Sequence, residues 1–190
     1  IVEILSDSGE GAQKCGQSFG AIAARLGYGI WTVEIIPAEI QPPARSVDGA
    51  SGNRIRVANR RINNGGDEAD LVVAFNEQVL LGRLAADELK PSATILMENR
   101  WRHDDDPSIA ASYRRVYEEL LERGFKVQEI PMETECRKIV SDARRGKNMF
   151  VLGLLCSIYS LDIEAAHEQI RFVFGKKGDL VVQANQQLCD

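Results

Sequence analysis

The chain has 190 residues and a net charge of −5 at pH 7, with 44% hydrophobic and 27% charged residues. This length suits one domain, residues 1–190, that buries its own core, and the composition is ordinary for a globular protein. The acidic balance argues against a nucleic-acid partner or an anionic membrane, because either requires a clustered basic face. No stretch reaches the roughly 18 apolar residues of a membrane span, so no membrane partner is expected.

The four cysteines favour a reducing compartment. Cys15, Cys136, Cys156 and Cys189 form no C-x-x-C pair, and three of them fall within apolar helical patterns, where a free cysteine is a small core residue. We therefore expect no disulfide framework and no zinc or iron–sulfur site built from this chain alone. A cytoplasmic location is the expectation that follows.

Strands alternate with helices over the first 130 residues. Short apolar or alternating runs predict strands at residues 1–5, 30–36, 54–58, 71–75, 94–97 and 125–130. Helical spacing of apolar residues predicts helices at 15–26, 78–89 and 109–121, and then at 133–144, 147–159, 163–174 and 181–190. This order predicts an α/β fold, with a doubly wound, mostly parallel sheet flanked by helices and a helix-rich C-terminal part.

The loop after the first strand is the first candidate for a binding site. Ligands of open α/β sheets lie beyond the carboxyl ends of strands, and Gly9 and Gly11 would let a ligand approach the backbone where the next helix begins. A dinucleotide fingerprint has three glycines, however, and the carboxylates of Asp7 and Glu10 repel phosphate. Two other interpretations stay open: a tight turn in which Asp7 or Ser8 caps the helix, and a contact with a partner domain.

The long connector at residues 37–53 is the second candidate, since long loops in compact domains are often functional. Pro42 and Pro43 stiffen it into an extended segment. Glu39 stands between apolar neighbours. It is therefore either a partly buried carboxylate ready to accept a hydrogen bond or a side chain that faces solvent. The small residues around Ser51 permit close backbone packing, which suits an interface or the wall of a cavity.

Other charged clusters are interpreted as solvated surface. The consecutive residues 103–106 (HDDD) cannot converge on one metal ion without a special loop, so no metal site is predicted. The basic doublet Arg144-Arg145 is interpreted as an exposed turn rather than a phosphate site. With His103 and His167 as the two histidines, no Ser-His-Asp or Cys-His set can be assembled, and no catalytic residue is predicted.

Four runs, taken in order, carry a resemblance to a known family. They are residues 6–11 (SDSGEG), 36–40 (IPAEI), 49–52 (GASG) and 147–154 (KNMFVLGL). The whole chain resembles the gamma subunit or domain of 2-oxoacid:ferredoxin oxidoreductases, most of all the N-terminal gamma domain in the alpha subunit of the 2-oxoglutarate enzymes. Many separate gamma subunits have a more glycine-rich first loop, and an arginine with paired glycines after the glutamate. This chain has Gln41-Pro42-Pro43-Ala44 there, which favours the 2-oxoglutarate subgroup.

The resemblance implies a component of an enzyme that is not active alone. Family enzymes decarboxylate a 2-oxoacid oxidatively to an acyl-CoA, with thiamine diphosphate and magnesium, and pass electrons through iron–sulfur clusters to ferredoxin. These groups lie on other domains, so none is expected on this chain alone. The implied partners are thiamine-binding alpha and beta subunits or domains, with ferredoxin as the acceptor. The candidate cofactor-binding or interface residues are Ser8, Gly9, Glu10, Gly11, Glu39 and Ser51.

We therefore predict a gamma subunit or domain that completes an active site held by its partners, with 2-oxoglutarate as the expected substrate. In some family members this domain contributes to the CoA side of the active site. Two alternatives stay open. One is a stand-alone module that binds CoA or a nucleotide on the turn at Gly9 and Gly11. The other is a non-catalytic scaffold whose two loops only make interfaces.

Overall fold

A six-stranded sheet with seven α-helices is formed by residues 1–39 and 42–190, the part of the chain that the computed structural model describes. Ile40 and Gln41, which belong to the predicted connector, lie outside the described residues. The strands are β1 Val2–Asp7, β2 Gly29–Ile35, β3 Ala50–Ala58, β4 Ala69–Ala74, β5 Leu89–Glu98 and β6 Lys126–Ile130. The helices are α1 Ala12–Arg25, α2 Gln78–Ala85, α3 Pro107–Glu122, α4 Met132–Cys136, α5 Lys147–Ile158, α6 Ile163–Phe174 and α7 Asp179–Cys189.

The strand order in the sheet is β2-β3-β1-β4-β5-β6. β1, β4, β5 and β6 pair in parallel, whereas β3 runs antiparallel to both of its neighbours, β1 and β2. The prediction of a mostly parallel α/β sheet is therefore confirmed. All strands except β3 end at the same edge of the sheet, which is named the carboxyl edge, and β3 begins there.

Helices cover both faces of the sheet. On one face Ile4 and Val73 pack against Phe19 of α1 and against α5, α6 and α7. On the other face Leu5 and Val72 pack against α2 and α3. α5 is apolar on nearly all sides, as a helix enclosed by other elements must be, and the prediction of a buried helix here is confirmed. None of the described helices is both long and apolar enough to cross a membrane.

β3 is longer than the sequence predicted. It begins at Ala50 rather than Arg54, and its first residues pair with the end of β1. Small and polar residues are poor strand formers, but packing against neighbouring strands overrides that preference here. A Cβ built on Gly52 would stand 2.0 Å from the carbonyl oxygen of Ile4, so only glycine fits this close approach. The connector between β2 and β3 is correspondingly shorter.

α4 is shorter than the sequence predicted. The pattern of residues 133–144 predicted one helix, but α4 ends at Cys136 and a 3-10 helix follows at Ala143–Arg145. Asp142 favours the break, because its carboxylate accepts a hydrogen bond from the backbone N–H of Arg144 at 3.2 Å. This local bond offers the backbone a turn in place of the helix. The prediction of one continuous helix was wrong.

Gly153 allows α5 to contact the end of α7, and its replacement should be costly. A Cβ at this position would stand 1.8 Å from the carbonyl oxygen of Cys189. We expect Gly153→Ala to lower the free energy of unfolding by about 1–3 kcal/mol through overpacking, measured by urea denaturation. Gly175→Ala is the matched control, since its φ is −54° and no atom lies within 4 Å of its Cβ position. Equal stability of both variants would contradict this prediction.

Candidate functional site

The loops at the carboxyl edge enclose a cleft of about 790 Å³, named here the carboxyl-edge cleft. Its walls come from the loop after β1, the connector before β3, the turn after β5 and the segment between α4 and α5. Among the described residues its cations are Arg45, Arg100, Arg137, Arg144, Arg145 and Lys147, and its carboxylates are Asp7, Glu10, Glu133 and Asp142. The position agrees with the general place of ligand sites in open α/β sheets.

Lys147 carries a positive charge into the core at the base of this cleft. Its side chain is 2% exposed, and its Nζ donates a hydrogen bond to Oε1 of Glu10 at 2.9 Å. The same ammonium lies 5.3 Å from the centre of the Phe75 ring, just after β4. Because buried charges are tolerated only when they are paired, this contact fixes the loop after β1 against the first turn of α5.

Arg45 ties the connector before β3 to the cleft. Its backbone N–H donates a hydrogen bond to Oδ2 of Asp7 at 2.7 Å, and its guanidinium donates two hydrogen bonds to the buried carboxylate of Glu77. The guanidinium of Arg45 also lies 4.1 Å from the centre of the Trp101 ring, and that of Arg100 lies 4.4 Å from the same ring. These contacts hold Arg45 at a φ of 55°, which non-glycine residues rarely adopt.

Glu98 and Glu133 organise the turn after β5 and the start of α4. The carboxylate of Glu98 accepts hydrogen bonds from the backbone N–H groups of Arg100 at 3.0 Å and Glu133 at 2.7 Å. Burial raises the pKa of Glu98, although these two donors and the Lys147 ammonium act in the opposite direction. Glu133 in turn accepts hydrogen bonds from the guanidinium groups of Arg100 and Arg137. Both guanidinium groups are thereby held at the cleft.

Three polar atoms of the cleft wall are buried without a hydrogen-bond partner among the described residues. They are Oδ1 of Asp7, Oε2 of Glu10 and Nε1 of Trp101. Buried polar groups in native proteins are nearly always paired, so we expect water, a ligand or a partner chain to complete them. The cleft can therefore accept an anion on its arginines and hydrogen-bond donors on its carboxylates.

The structure brings some of the predicted site residues to the cleft and separates others from it. Those that line it are Ser8, Gly9 and Glu10. Gly11 lies on the other side of the same turn, against Asn148. Ser51 is buried in β3 opposite Ser6 of β1, and Glu39 is exposed, so neither belongs to the cleft wall. The binding roles of these residues stay predictions.

Neither Asp7 nor Ser8 caps α1, so the capping part of the tight-turn interpretation was wrong, although the loop does form a turn closed by a hydrogen bond from the backbone N–H of Glu10 to the carbonyl oxygen of Asp7 at 3.2 Å. The N-cap residue is Gly11, whose φ is 95°, and no side chain accepts a hydrogen bond from the first turn among the described residues. Asp7 instead binds the backbone of Arg45, which lies 38 positions later in the chain. The first turn of α1 therefore keeps N–H groups that a side chain would otherwise occupy.

The residues that build the cleft come from distant parts of the chain, and local patterns missed most of them. Arg45, Trp101 and Arg137 belong to no motif. Arg144-Arg145 was interpreted as a solvated turn; both side chains are exposed, but they stand at the cleft. One usable signal was the lysine at position 147, because a charged residue that opens an apolar, buried helix requires a buried partner.

The acidic run at residues 103–106 has a structural role. The carboxylate of Asp106 accepts a hydrogen bond from the backbone N–H of Ser108 at 2.8 Å and so caps α3. Asp104 accepts one from the backbone of Asp106 at 3.0 Å, which closes the turn before the helix. No group of three His, Cys, Asp or Glu side chains suited to a metal ion occurs within residues 1–39 and 42–190.

Comparison with known sequences gives one family and one curated relative. A sequence profile of the family described as pyruvate ferredoxin/flavodoxin oxidoreductase matches residues 2–190. The 2-oxoglutarate oxidoreductase subunit KorA of Mycobacterium tuberculosis is 29% identical over 196 residues, which cover 97% of this chain and 29% of the relative. The chain thus spans less than a third of the length of that relative.

Solved structures share the fold. A 2-oxoglutarate:ferredoxin oxidoreductase from Magnetococcus marinus, with 2-oxoglutarate, coenzyme A and succinyl-CoA bound, superposes with a TM-score of 0.76 at 24% identity, over 100% of this chain and 29% of that one. Pyruvate oxidoreductase subunit PORC of Thermotoga maritima gives a TM-score of 0.65 at 16% identity, over 99% of this chain and 91% of that one. A keto/oxoacid ferredoxin oxidoreductase gamma subunit from Geobacter sulfurreducens gives a TM-score of 0.65 at 15% identity, over 99% of this chain and 92% of that one.

The buried pair of Lys147 and Glu10 should couple strongly. We expect Lys147→Met to lower the free energy of unfolding by about 3 kcal/mol, because it leaves a partly buried carboxylate without its cation. A double-mutant cycle with Glu10→Gln, measured by urea denaturation, gives the coupling free energy. The exposed pair of Lys138 and Glu135 is the control, with an expected coupling of about 0.2–1 kcal/mol. A coupling no larger than that of the control would contradict the role assigned to the buried pair.

The raised pKa of Glu98 predicts a pH trend in stability. Its pKa is higher in the folded chain than its ordinary value of 4.5. Its contribution to the free energy of unfolding is therefore fully present below that ordinary value and is lost as pH rises through the folded-state pKa. We expect the difference in unfolding free energy between the native chain and Glu98→Gln to fall as the pH rises above the ordinary value of 4.5, in denaturant titrations at each pH. A difference that grows with pH would show that the pKa is lowered instead.

Proposed function

Since the chain belongs to the pyruvate ferredoxin/flavodoxin oxidoreductase family, we propose that residues 1–190 form one gamma-type domain or subunit of a 2-oxoacid:ferredoxin oxidoreductase. The chain would act in complex with thiamine-binding alpha and beta subunits or domains, with ferredoxin as the electron acceptor. 2-Oxoglutarate is the proposed substrate, because the relative that covers 97% of this chain is a 2-oxoglutarate oxidoreductase subunit. The chain matches 29% of that relative, which supports a part in a larger enzyme.

Iron–sulfur clusters do not fit the described residues of this chain, and we assign them to partner domains. A cluster needs several thiolates that converge on it. The four cysteines are free and buried, and burial raises the pKa of Cys136 and of Cys189 to about 12. The described residues likewise offer no metal-ligating group for the magnesium of thiamine diphosphate. Free, buried cysteines support a reducing, cytoplasmic compartment as part of the proposal.

We propose coenzyme A as the ligand of the carboxyl-edge cleft, and the charge of the cleft supports this role. Its phosphates match guanidinium groups, which bind such oxygens in a fixed fork geometry. Arg144 and Arg145 contact Asp142 at 3.3 and 3.5 Å and stay largely exposed. The supporting observation is that the cleft has six cations and four carboxylates, an excess of two positive charges, on a chain whose net charge is −5.

The side chains of the cleft have binding and positioning roles in this proposal. Arg100 and Arg137, both held by Glu133, neutralise phosphate charge. Lys147 holds Glu10, and with it the turn that forms one wall of the cleft. Coenzyme A brings the thiol that accepts the acyl group, whereas no residue of this chain is assigned as acid, base or nucleophile. The chain would therefore act on the affinity for coenzyme A rather than on the chemical step.

The proposal is tested in the purified complex by following 2-oxoglutarate-dependent reduction of a viologen dye. We expect Arg137→Ala to raise the KM for coenzyme A by about tenfold with little change in kcat, because one charge-assisted hydrogen bond is worth about 1.5–3 kcal/mol. Arg171→Ala, an exposed arginine of α6 outside the cleft, is the matched control. An unchanged KM for coenzyme A in Arg137→Ala would overturn the binding role and favour a non-catalytic scaffold.

A second measurement separates an enzyme component from an independent module. The chain purified alone should show no 2-oxoacid-dependent reduction of the dye. Turnover by the lone chain would overturn the proposal of a component. Tight binding of coenzyme A by the lone chain, abolished by Gly11→Asp, would favour the stand-alone binding module.

A further inference from the structure

The sheet has two edge strands, β6 and β2, and they differ in how their outer edges are protected. β6 has five residues, of which Lys126 and Glu129 are charged, and Pro131 follows it directly. Short length, lysine and proline are common features that stop an edge strand from pairing with another chain. The outer edge of β6 is therefore protected against further pairing.

β2 has none of this protection. It has seven residues, with neither proline nor lysine, and its pairing with β3 runs without a register shift. Trp31 and Val33 are 42% and 44% exposed, so the strand carries apolar surface into solvent. In the part of the chain that the structure describes, no backbone hydrogen bond joins the outer edge of β2 to another element. A regular, apolar edge of this kind is a template for a further strand.

The sequence of β2 is complementary to itself in the antiparallel direction. A two-fold axis at Thr32 pairs all seven residues of the strand with those of a second copy. Thr32 then lies opposite Thr32, and Trp31 lies opposite Val33. Trp31 and Val33 are two positions apart and share one face of the sheet, as residues opposite each other must. Pairs of threonines and pairs of an aromatic with a β-branched residue both stabilise antiparallel strands.

Charge does not oppose this pairing. Glu34 is the one charged residue of β2, and the axis at Thr32 places it opposite Ile30 rather than opposite itself. The two Glu34 residues are then about 13 Å apart along the strands. This distance exceeds the screening length of about 8 Å at physiological ionic strength. Each carboxylate also accepts a hydrogen bond from Nε2 of Gln17 at 2.8 Å within its own chain.

The position of α1 leaves room for a second copy. α1 contacts β3 through Gly16 and β2 through Gly20, so its axis passes over the boundary between these two strands. The α1 helix of the second copy would stand about 10 Å away, twice the spacing of adjacent strands, which is the usual distance between packed helices. On the side toward β2, α1 carries Gln13 and Gln17, which are uncharged. The two helices can therefore pack across the axis.

We propose that β2 pairs with β2 of a second copy of this chain, antiparallel and in register about Thr32, so that two six-stranded sheets become one continuous sheet. A second copy is favoured over an extended segment of another protein, because self-pairing also places Trp31 against Val33 and aligns the two α1 helices. β2 contributes no described residue to the carboxyl-edge cleft. The pairing therefore goes beyond the proposed function and does not depend on it.

Cysteine cross-linking tests the pairing in the intact protein, with any subunits that copurify. Thr32→Cys should give a disulfide-linked dimer of this chain under mild oxidation, because residues opposite each other have Cα atoms about 4.5–5.5 Å apart, within the range of a disulfide. The four native cysteines are free and buried, so they do not compete. Lys126→Cys, an exposed position on the other edge strand, is the matched control and should give no dimer.

A mixture of two variants tests the register. Trp31→Cys and Val33→Cys should cross-link with each other after mixing, and far less with themselves, because only unlike residues lie opposite each other. Residues on the diagonal are about 7–8 Å apart, which is too far for a disulfide. Cross-linking of either variant with itself alone would contradict the register about Thr32.

Sedimentation velocity measures the strength of the association. We expect Val33→Lys to weaken self-association by tenfold or more, since it replaces the apolar partner of Trp31 with a charge that protects strand edges. Val47→Lys changes a valine that is 42% exposed and lies outside β2. This control should associate as strongly as the native protein.

The outcomes that overturn the proposal are specific. They are the absence of a dimer in Thr32→Cys, an equal amount of dimer in Lys126→Cys, and a cross-link from Thr32→Cys to a different subunit, which would show that another protein pairs with β2. If Val33→Lys fails to fold, the cross-links of Thr32→Cys still decide. The coenzyme A kinetics of Arg137→Ala do not involve β2, so the two proposals fail separately.

Discussion

The carboxyl edge of the sheet depends on one buried charge, the ammonium group of Lys147. Burial disfavours this charge, and so does its position in the first turn of α5, where the helix dipole is positive. The carboxylate of Glu10 offsets both effects through direct contact at 2.9 Å. Because the partner lies 137 positions earlier in the chain, the contact fixes the first loop against the last layer of helices. The shape of both cavities beside that loop follows from it.

The turn at Gly9 and Gly11 is a thin wall between two cavities of different character. The carboxyl-edge cleft is polar and lined by paired arginines, whereas the second cavity, between the start of α1 and α7, combines an apolar wall with cations. Both share Arg144 and Arg145, which stand at the rim with Asp142.

Local sequence patterns predicted the layers of the fold because apolar periodicity reports which face of an element is buried. They failed where tertiary contacts determine the secondary structure. Gly52, for example, belongs to β3 because the β1 backbone approaches it closely. They also failed where a polar side chain bonds its own backbone, as Asp142 does beyond α4. The first loop was identified as a candidate site from its glycines. Its contacts with Arg45 and Lys147 could not be predicted, because no local pattern encodes a contact across 38 or 137 positions.

The reversed direction of β3 has a consequence for how this fold can change over time. A parallel strand would need a crossover back to the opposite edge of the sheet, but an antiparallel one starts where β2 ends. The connection between Ile35 and Ala50 therefore begins and ends at the carboxyl edge. Insertions and deletions in this connection would alter the part of the cleft wall that Ala44 and Arg45 form, without shifting the register of the sheet. A change of length in this loop would therefore reshape the cleft beside Arg45 and leave the pairing of β1, β2 and β3 intact.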